Sequence, residues 1–161
     1  MIKILFICHG NICRSPMAEY LLRFLAAQRG EREEYRIGSA GTSAEESGHP
    51  VHPETRRTLA AHGVPCGDHH AVQLTRADYD RYDLLLGMDT ENLINMYRIL
   101  GGDPDGKLHR LLDFAPRTRD IADPWYTGNF DDTYRDILEG CNALLDRLAP
   151  HETTMHKEDH P

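Results

Sequence analysis

The stretch Ile2-Lys3-Ile4-Leu5-Phe6-Ile7-Cys8-His9-Gly10-Asn11-Ile12-Cys13-Arg14-Ser15-Pro16 passes from an apolar run, through a short polar loop, into the start of an amphipathic run. Ile2 to Ile7 is rich in β-branched residues and nearly uncharged, the pattern of a strand buried on both faces of a parallel sheet. Ser15 reads as an N-cap and Pro16 as the first helical residue, which sets the loop between a strand end and a helix N-terminus. Free backbone N–H groups and the helix dipole make such a place receptive to anions, and they favour the thiolate of a cysteine held there. The loop therefore reads as an anion cradle carrying its own nucleophile, Cys8. Gly10 and Asn11 tolerate the unusual backbone angles of so tight a turn.

Working outward, Met17, Leu21, Phe24, Leu25 and Gln28 keep helical spacing, and Gly30 stops a helix running from about Ser15 to Arg29. Tyr35 to Ala40 predicts a strand that opens into a long polar loop, Gly41 to Pro50. Pro53 to His62 reads as a short helix stopped by Gly63, whereas Val64 to Leu74 carries no clear local signal. Thr75-Arg76-Ala77-Asp78 resembles a capping box and predicts a short helix over 76–81. Asp83 to Met88 is the next buried strand. Asp89 then caps a helix with Leu93, Met96, Tyr97 and Leu100 on one face, ended by Gly101-Gly102. Lys107 to Phe114 predicts a less apolar strand at a sheet edge. Phe130, Tyr134, Ile137, Leu138, Cys141, Leu144 and Leu148 repeat with helical period and mark the last helix.

Strands alternating with helices predict an α/β fold: a single three-layer domain over residues 1–149, with a central four-stranded parallel sheet and helices on both faces. Ligands of such sheets bind beyond the carboxyl ends of the strands, where the cradle lies. Residues 150–161 read as a polar, disordered tail, whose His151, His156 and His160 offer weak metal affinity at most.

The chain's 161 residues suffice for one domain with a sizeable core, and 40% hydrophobic with 27% charged residues is ordinary for a globular protein. A formal charge of −8 argues against nucleic acid or an anionic membrane as partner, because both are held through excess Lys and Arg. Any phosphate site must be positive locally, against that background. The first apolar run is too short for a signal peptide or a membrane span, and the 4 cysteines do not resemble a secreted disulfide framework. A cytoplasmic protein with reduced thiols is expected, as a monomer or weak homodimer.

A cysteine and an arginine separated by five residues arise readily by chance, and the pair Cys8 and Arg14 gains its meaning from straddling a strand-to-helix turn. Arg14 offers a planar fork of donors suited to two oxygens of a phosphoryl group, which lysine cannot match in geometry. Ser15 can donate its hydroxyl to a Cys8 thiolate. Cys8-His9-Gly10-Asn11-Ile12-Cys13-Arg14-Ser15-Pro16 resembles the phosphate-binding loop of low-molecular-weight protein tyrosine phosphatases. Asp123-Pro124-Trp125-Tyr126 resembles the same family's general-acid loop, with Ser39-Ala40-Gly41-Thr42 between the two, and the resemblance covers about residues 1–149.

The resemblance implies hydrolysis of phosphotyrosine in proteins, or of small aryl phosphates, through a phosphocysteine on Cys8 and without metal or other cofactor. Arg14 and the loop His9, Gly10, Asn11, Ile12, Cys13 and Ser15 would hold the phosphate. Asp123 would protonate the leaving phenolate and later deprotonate the attacking water. Asn11, Ser15, Ser39 and His69 would support the loop. The choice of His69 over His70 rests on matching Asp68 to Leu74 with the family pattern, and an ordinary surface histidine is the other reading. Trp125 and Tyr126, with His9 and Ile12, would line the cleft, the alternative for the aromatics being packing beneath the acid loop. Cys13 is either the partner of Cys8 in a reversible disulfide under oxidant or a small buried residue. Cys141 reads as core, and Cys66 has no evident role.

Many relatives place an aromatic residue in the loop after Ser39, where this chain has Glu45 and Glu46. Carboxylates at the rim would repel acidic peptides and favour neutral or basic flanks, the alternative reading being solvated loop charges. Arsenate reductases share the fold but relay a disulfide through cysteines near the third strand, and Asp83 to Leu100 contains none. Protein arginine phosphatases have Thr where this chain has Ile12, and an apolar residue there suits an aryl ring better than a guanidinium. A non-catalytic phosphotyrosine-binding or phosphocarrier module would need no acid at Asp123.

Overall fold

Alternation of side chains along β1 (Ile2–Cys8) divides the core into two layers. Ile4 and Phe6 join one apolar cluster, Leu5 and Ile7 the other, and all four are 3% exposed or less. The computed structural model describes residues 1–148. In it β1, β2 (Tyr35–Gly41), β3 (Leu84–Gly87) and β4 (Leu108–Arg110) form one parallel sheet in the order β2-β1-β3-β4. Helices α1 (Arg14–Gln28), α2 (Pro53–Ala61) and α6 (Phe130–Leu148) pack on one face through Met17, Leu21, Leu59, Ile137 and Leu144. Helices α3 (Ala77–Arg81) and α4 (Thr90–Leu100) cover the other through Tyr79, Met96 and Leu100. The result is the three-layer α/β domain expected, with β4 at an edge. None of the helices among the described residues is long and apolar enough to cross a membrane.

Two expectations about local structure need correction. Leu111 to Phe114 forms a 3₁₀ turn and does not continue β4. Leu111 and Leu112 are both fully buried in the same cluster, which consecutive residues of a strand cannot achieve because they point to opposite faces. Nor is Ser15 an N-cap. Helix α1 begins at Arg14 after Cys13, which makes no side-chain capping bond, and Pro16 falls within the first turn. The Ser15 side chain is turned to Cys8 and Asn11 instead. The expectations about the tail lie outside the described residues.

Val64 to Leu74 proves to be an irregular strap along the end of β2. Its Val72 carbonyl accepts from Gly41 N–H at 2.8 Å, and Leu74 N–H donates to the Gly41 carbonyl at 2.7 Å. The strap is tied to the carboxyl end of β2 and, through His69 and Val72, to Asn11 of the loop Cys8 to Cys13.

Candidate active site

The carbonyls of the loop are taken from outside. Cys8 and His9 carbonyls accept from Thr42 and Ser43 N–H, both at 2.9 Å. The Asn11 carbonyl meets His69 Nε2 at 2.8 Å, that of Ile12 accepts from His52 N–H at 2.9 Å, and that of Cys13 from the Thr55 hydroxyl at 3.4 Å. A trans peptide sets N–H opposite C=O. The N–H groups of His9, Gly10, Ile12, Cys13 and Arg14 are thereby turned inward, and these same residues line a cavity of about 150 Å³ together with Cys8. Donors converging on a small cavity at a helix N-terminus form an oxyanion site.

Asn11 holds this shape. Its φ of 60° is left-handed, a conformation Asn tolerates better than most residues. It is fully buried, with Nδ2 donating to the hydroxyls of Ser15 at 2.8 Å and Ser39 at 3.0 Å, and Oδ1 accepting from Val72 N–H at 3.0 Å. Gly10, expected to share the unusual angles, is not among the glycines at positive φ; it supplies room, since a Cβ there would sit 3.3 Å from Glu46 Cγ. Gly41 matters in the same way: a Cβ on it would lie 2.8 Å from the His9 carbonyl oxygen.

Three donors approach the Cys8 sulfur: the Ser15 hydroxyl at 3.0 Å, Asn11 N–H at 3.3 Å and Ser15 N–H at 3.4 Å. Because Asn11 donates to Ser15 Oγ, the hydroxyl proton has two acceptors, the sulfur at 3.0 Å and the Ala40 carbonyl at 3.4 Å, and on the nearer sulfur it supports negative charge. Cys13 differs. Its burial first, then the nearby Cys8 and Asp123, push its thiol up to about 12, so it stays protonated at neutral pH.

Arg14 is 2% exposed, an uncommon place for a guanidinium. Its Nη1 donates to Asp89 Oδ2 at 2.7 Å and to the Ile121 carbonyl at 2.8 Å, and its Nη2 lies 3.5 Å from Asp123 Oδ2. Burial works against its charge, but Cys8 and Asp89 outweigh that and keep its pKa above the ordinary value. Asp123 N-caps the short α5 (Pro124–Thr127) by accepting the Trp125 N–H on Oδ1 at 3.0 Å. Trp125 and Tyr126 are 61% and 85% exposed and line the cavity, so neither is packed beneath the acid loop. His9, Ile12, Glu45 and Glu46 complete its wall.

The structure places Ser39, which donates to Glu19 Oε1 at 2.5 Å, and the buried His69 around Asn11 together with Ser15. Several contributors escaped the reading of the sequence. Asp89 was seen only as a helix cap, although one of its oxygens caps α4 while the other anchors Arg14. Glu19, 6% exposed, joins Ser39 to Arg23, with Arg23 Nη2 2.6 Å from its Oε2. A carboxylate among the apolar residues of α1 was the available signal. His52, which caps α2, gave none.

Comparison with known proteins agrees with this geometry. The family model described as low molecular weight phosphotyrosine protein phosphatase matches residues 3–156. Low molecular weight protein-tyrosine-phosphatase YfkJ of Bacillus subtilis is 38% identical over 147 residues, 90% of this chain and 94% of that protein. Its crystal structure superposes with a TM-score of 0.90, covering 94% of this chain and 96% of that one. The protein-tyrosine-phosphatase PtpA of Staphylococcus aureus is 35% identical over 150 residues, 92% of this chain and 95% of that protein. A Drosophila arginine phosphatase superposes with a TM-score of 0.84 at 27% identity, covering 92% of this chain and 98% of that one. Fold, cavity residues and relatives agree, and the chain belongs to the low molecular weight phosphotyrosine protein phosphatase family.

Proposed function

We propose that the chain hydrolyses phosphotyrosine in proteins, and small aryl phosphates, through a phosphocysteine on Cys8 and without a metal ion. The observation that carries this reading is the convergence of Cys8, Arg14 and Asp123 on one cavity, with three donors on the sulfur and inward N–H groups around it. Cys8 attacks phosphorus in line: the S–P bond forms as the P–O bond to the aryl group breaks, and Asp123 gives its proton to the departing oxygen. Arg14 and the inward N–H groups hold the equatorial oxygens and the charge that builds on them. Water then attacks the phosphocysteine, Asp123 takes its proton, and the S–P bond breaks to return the thiolate and release inorganic phosphate.

The rival within the fold is a phosphoarginine substrate, in keeping with the arginine phosphatase neighbour. Ile12 speaks against it, since a half-buried apolar side chain in the cavity wall packs on an aryl ring and offers a guanidinium no hydrogen bond. The test is turnover of p-nitrophenyl phosphate, a phosphotyrosyl peptide and a phosphoarginyl peptide, without added metal, by wild type, Cys8→Ser and Asp123→Ala. Cys8→Ser should reduce turnover to background and Asp123→Ala should lower that of the phosphotyrosyl peptide by about 10²–10⁴-fold. Activity that survives Cys8→Ser would falsify the phosphocysteine route, and preference for phosphoarginine would replace the substrate class.

A further inference from the structure

His52 takes no part in the chemistry above, yet it touches both halves of the site. Its backbone N–H donates to the Ile12 carbonyl of the cradle at 2.9 Å, and its Nδ1 accepts from Glu54 N–H at 3.0 Å, capping α2. Accepting through Nδ1 leaves the ring proton on Nε2 and fixes the tautomer. Held at these two points, the ring lies edge-on to Trp125, with centroids 5.9 Å apart and planes at 85°, and stacks on Phe130 of α6 at 5.2 Å and 27°. Trp125 is 61% exposed. Its N–H is the one that Asp123 accepts. The contacts thus run from the cradle carbonyl to the His52 backbone, from the His52 ring to the indole, and from the Trp125 backbone N–H to Asp123.

We propose that His52 is a positioning residue for the acid loop: its ring, anchored on the cradle, is the buttress that sets where Trp125, and through the α5 turn Asp123, stand over Cys8. This rests on Asp123 being the general acid. An edge-to-face pair is directional, so removing the ring frees Trp125 to rotate and lets the turn that carries Asp123 drift. A drift of this kind weakens proton delivery, which a poor leaving group needs and a good one does not.

Trp125 is the chain's 1 tryptophan, so its fluorescence reports this contact directly. His52→Asn keeps a short acceptor for the helix cap and removes the ring, whereas His52→Phe keeps a ring and removes the acceptor. His52→Asn should raise acrylamide quenching of Trp125 and lower kcat/KM about tenfold for phenyl phosphate but no more than about twofold for p-nitrophenyl phosphate. His52→Phe should keep the wild-type quenching and leaving-group ratio even where its melting temperature falls. The proposal is overturned if folded His52→Asn quenches as wild type does, if it slows both substrates equally, or if His52→Phe reproduces its leaving-group effect. Asp123→Ala on the same two substrates tests the acid by itself. Equal losses there would remove the acid reading, while the quenching result would still show whether His52 holds Trp125.

Discussion

Asp89→Asn separates the two tasks of one carboxylate. Asp89 Oδ1 accepts the Asn92 N–H at 2.7 Å and so caps α4, while Oδ2 accepts from Arg14 Nη1 at 2.7 Å. Asparagine keeps the shape but has a single oxygen, so its amide nitrogen must face either the Asn92 N–H or the Arg14 Nη1, donor against donor. Loss of the cap costs about 1 kcal/mol, and loss of a charge-assisted bond about 1.5–3 kcal/mol. Since a replacement bond offsets part of either loss, the net fall in unfolding free energy should be about 1–3 kcal/mol. If the cap keeps the oxygen, Arg14 Nη1 retains only the Ile121 carbonyl and the fork can tilt away from the phosphoryl oxygens. A displacement near 1 Å is enough for about a hundredfold, so kcat/KM for p-nitrophenyl phosphate should drop about 10–100-fold. Inhibition by inorganic phosphate should weaken in parallel, because Arg14 holds that anion too. Urea unfolding supplies the stability and steady-state kinetics the rest. A variant that loses stability but keeps kcat/KM and phosphate affinity within about twofold of wild type would refute the anchoring argument and leave Asp89 as a helix cap alone.

Two further outcomes follow from charges elsewhere. Asp103 accepts from the Tyr79 hydroxyl and Lys107 N–H, each at 2.7 Å, and from Leu108 N–H at 3.2 Å. Burial works to raise its pKa, but the donors, led by Tyr79, outweigh it and hold the carboxyl below its ordinary value. A depressed carboxylate stabilises fully above its unfolded-state value and loses that contribution as pH falls through the folded one. Asp103→Asn should therefore cost about 1–3 kcal/mol at neutral pH and progressively less below about pH 4, and an equal deficit throughout a urea series across pH refutes it. Glu45 and Glu46 line the cavity wall, with Glu45 3.9 Å from His9 Nε2. The double change Glu45→Gln, Glu46→Gln should improve kcat/KM for acidic phosphotyrosyl peptides relative to basic ones by about threefold at low salt and less at 0.5 M or so; unchanged relative turnover sinks the idea that these carboxylates select flanks.

How much of this was legible in the chain depended on whether the cause was local. Ile2 to Ile7 could be read because a strand buried on both faces leaves no polar position in its core, and all of Ile4 to Ile7 is indeed inside. The cradle could be read because its residue types answer to backbone and charge demands inside one short loop. Leu111 to Phe114 was misread because a short apolar run fits a strand and a tucked turn equally, and only the neighbouring α6 decides between them. Ser15 was misread as a cap because its competitor for the hydroxyl, the Asn11 amide, approaches only once the loop has folded back. Asp89 and His52 show the same limit: each caps a helix at short range and makes a second contact with a residue far along the chain.

The local charge of the site completes the argument about Asp123. If Cys8 is the nucleophilic thiolate, the groups around Arg14 are that thiolate, Asp89 and Asp123, so one guanidinium faces three potential anions before any phosphate arrives. The chain as a whole, at −8, supplies no compensating field. A phosphate dianion entering beside the sulfur must then be held by Arg14 and the inward N–H groups of the loop against the repulsion of these carboxylates. Of the two carboxylates, Asp89 is tied to Arg14 and the α4 N-terminus, whereas Asp123 has only its cap bond and a 3.5 Å contact to Arg14. Asp123 is therefore the carboxylate freer to turn toward a leaving oxygen, as the proposed general acid must. An arrangement with a neutral, non-ionisable residue in place of Asp123 would relieve that repulsion and have no proton to deliver to a leaving oxygen.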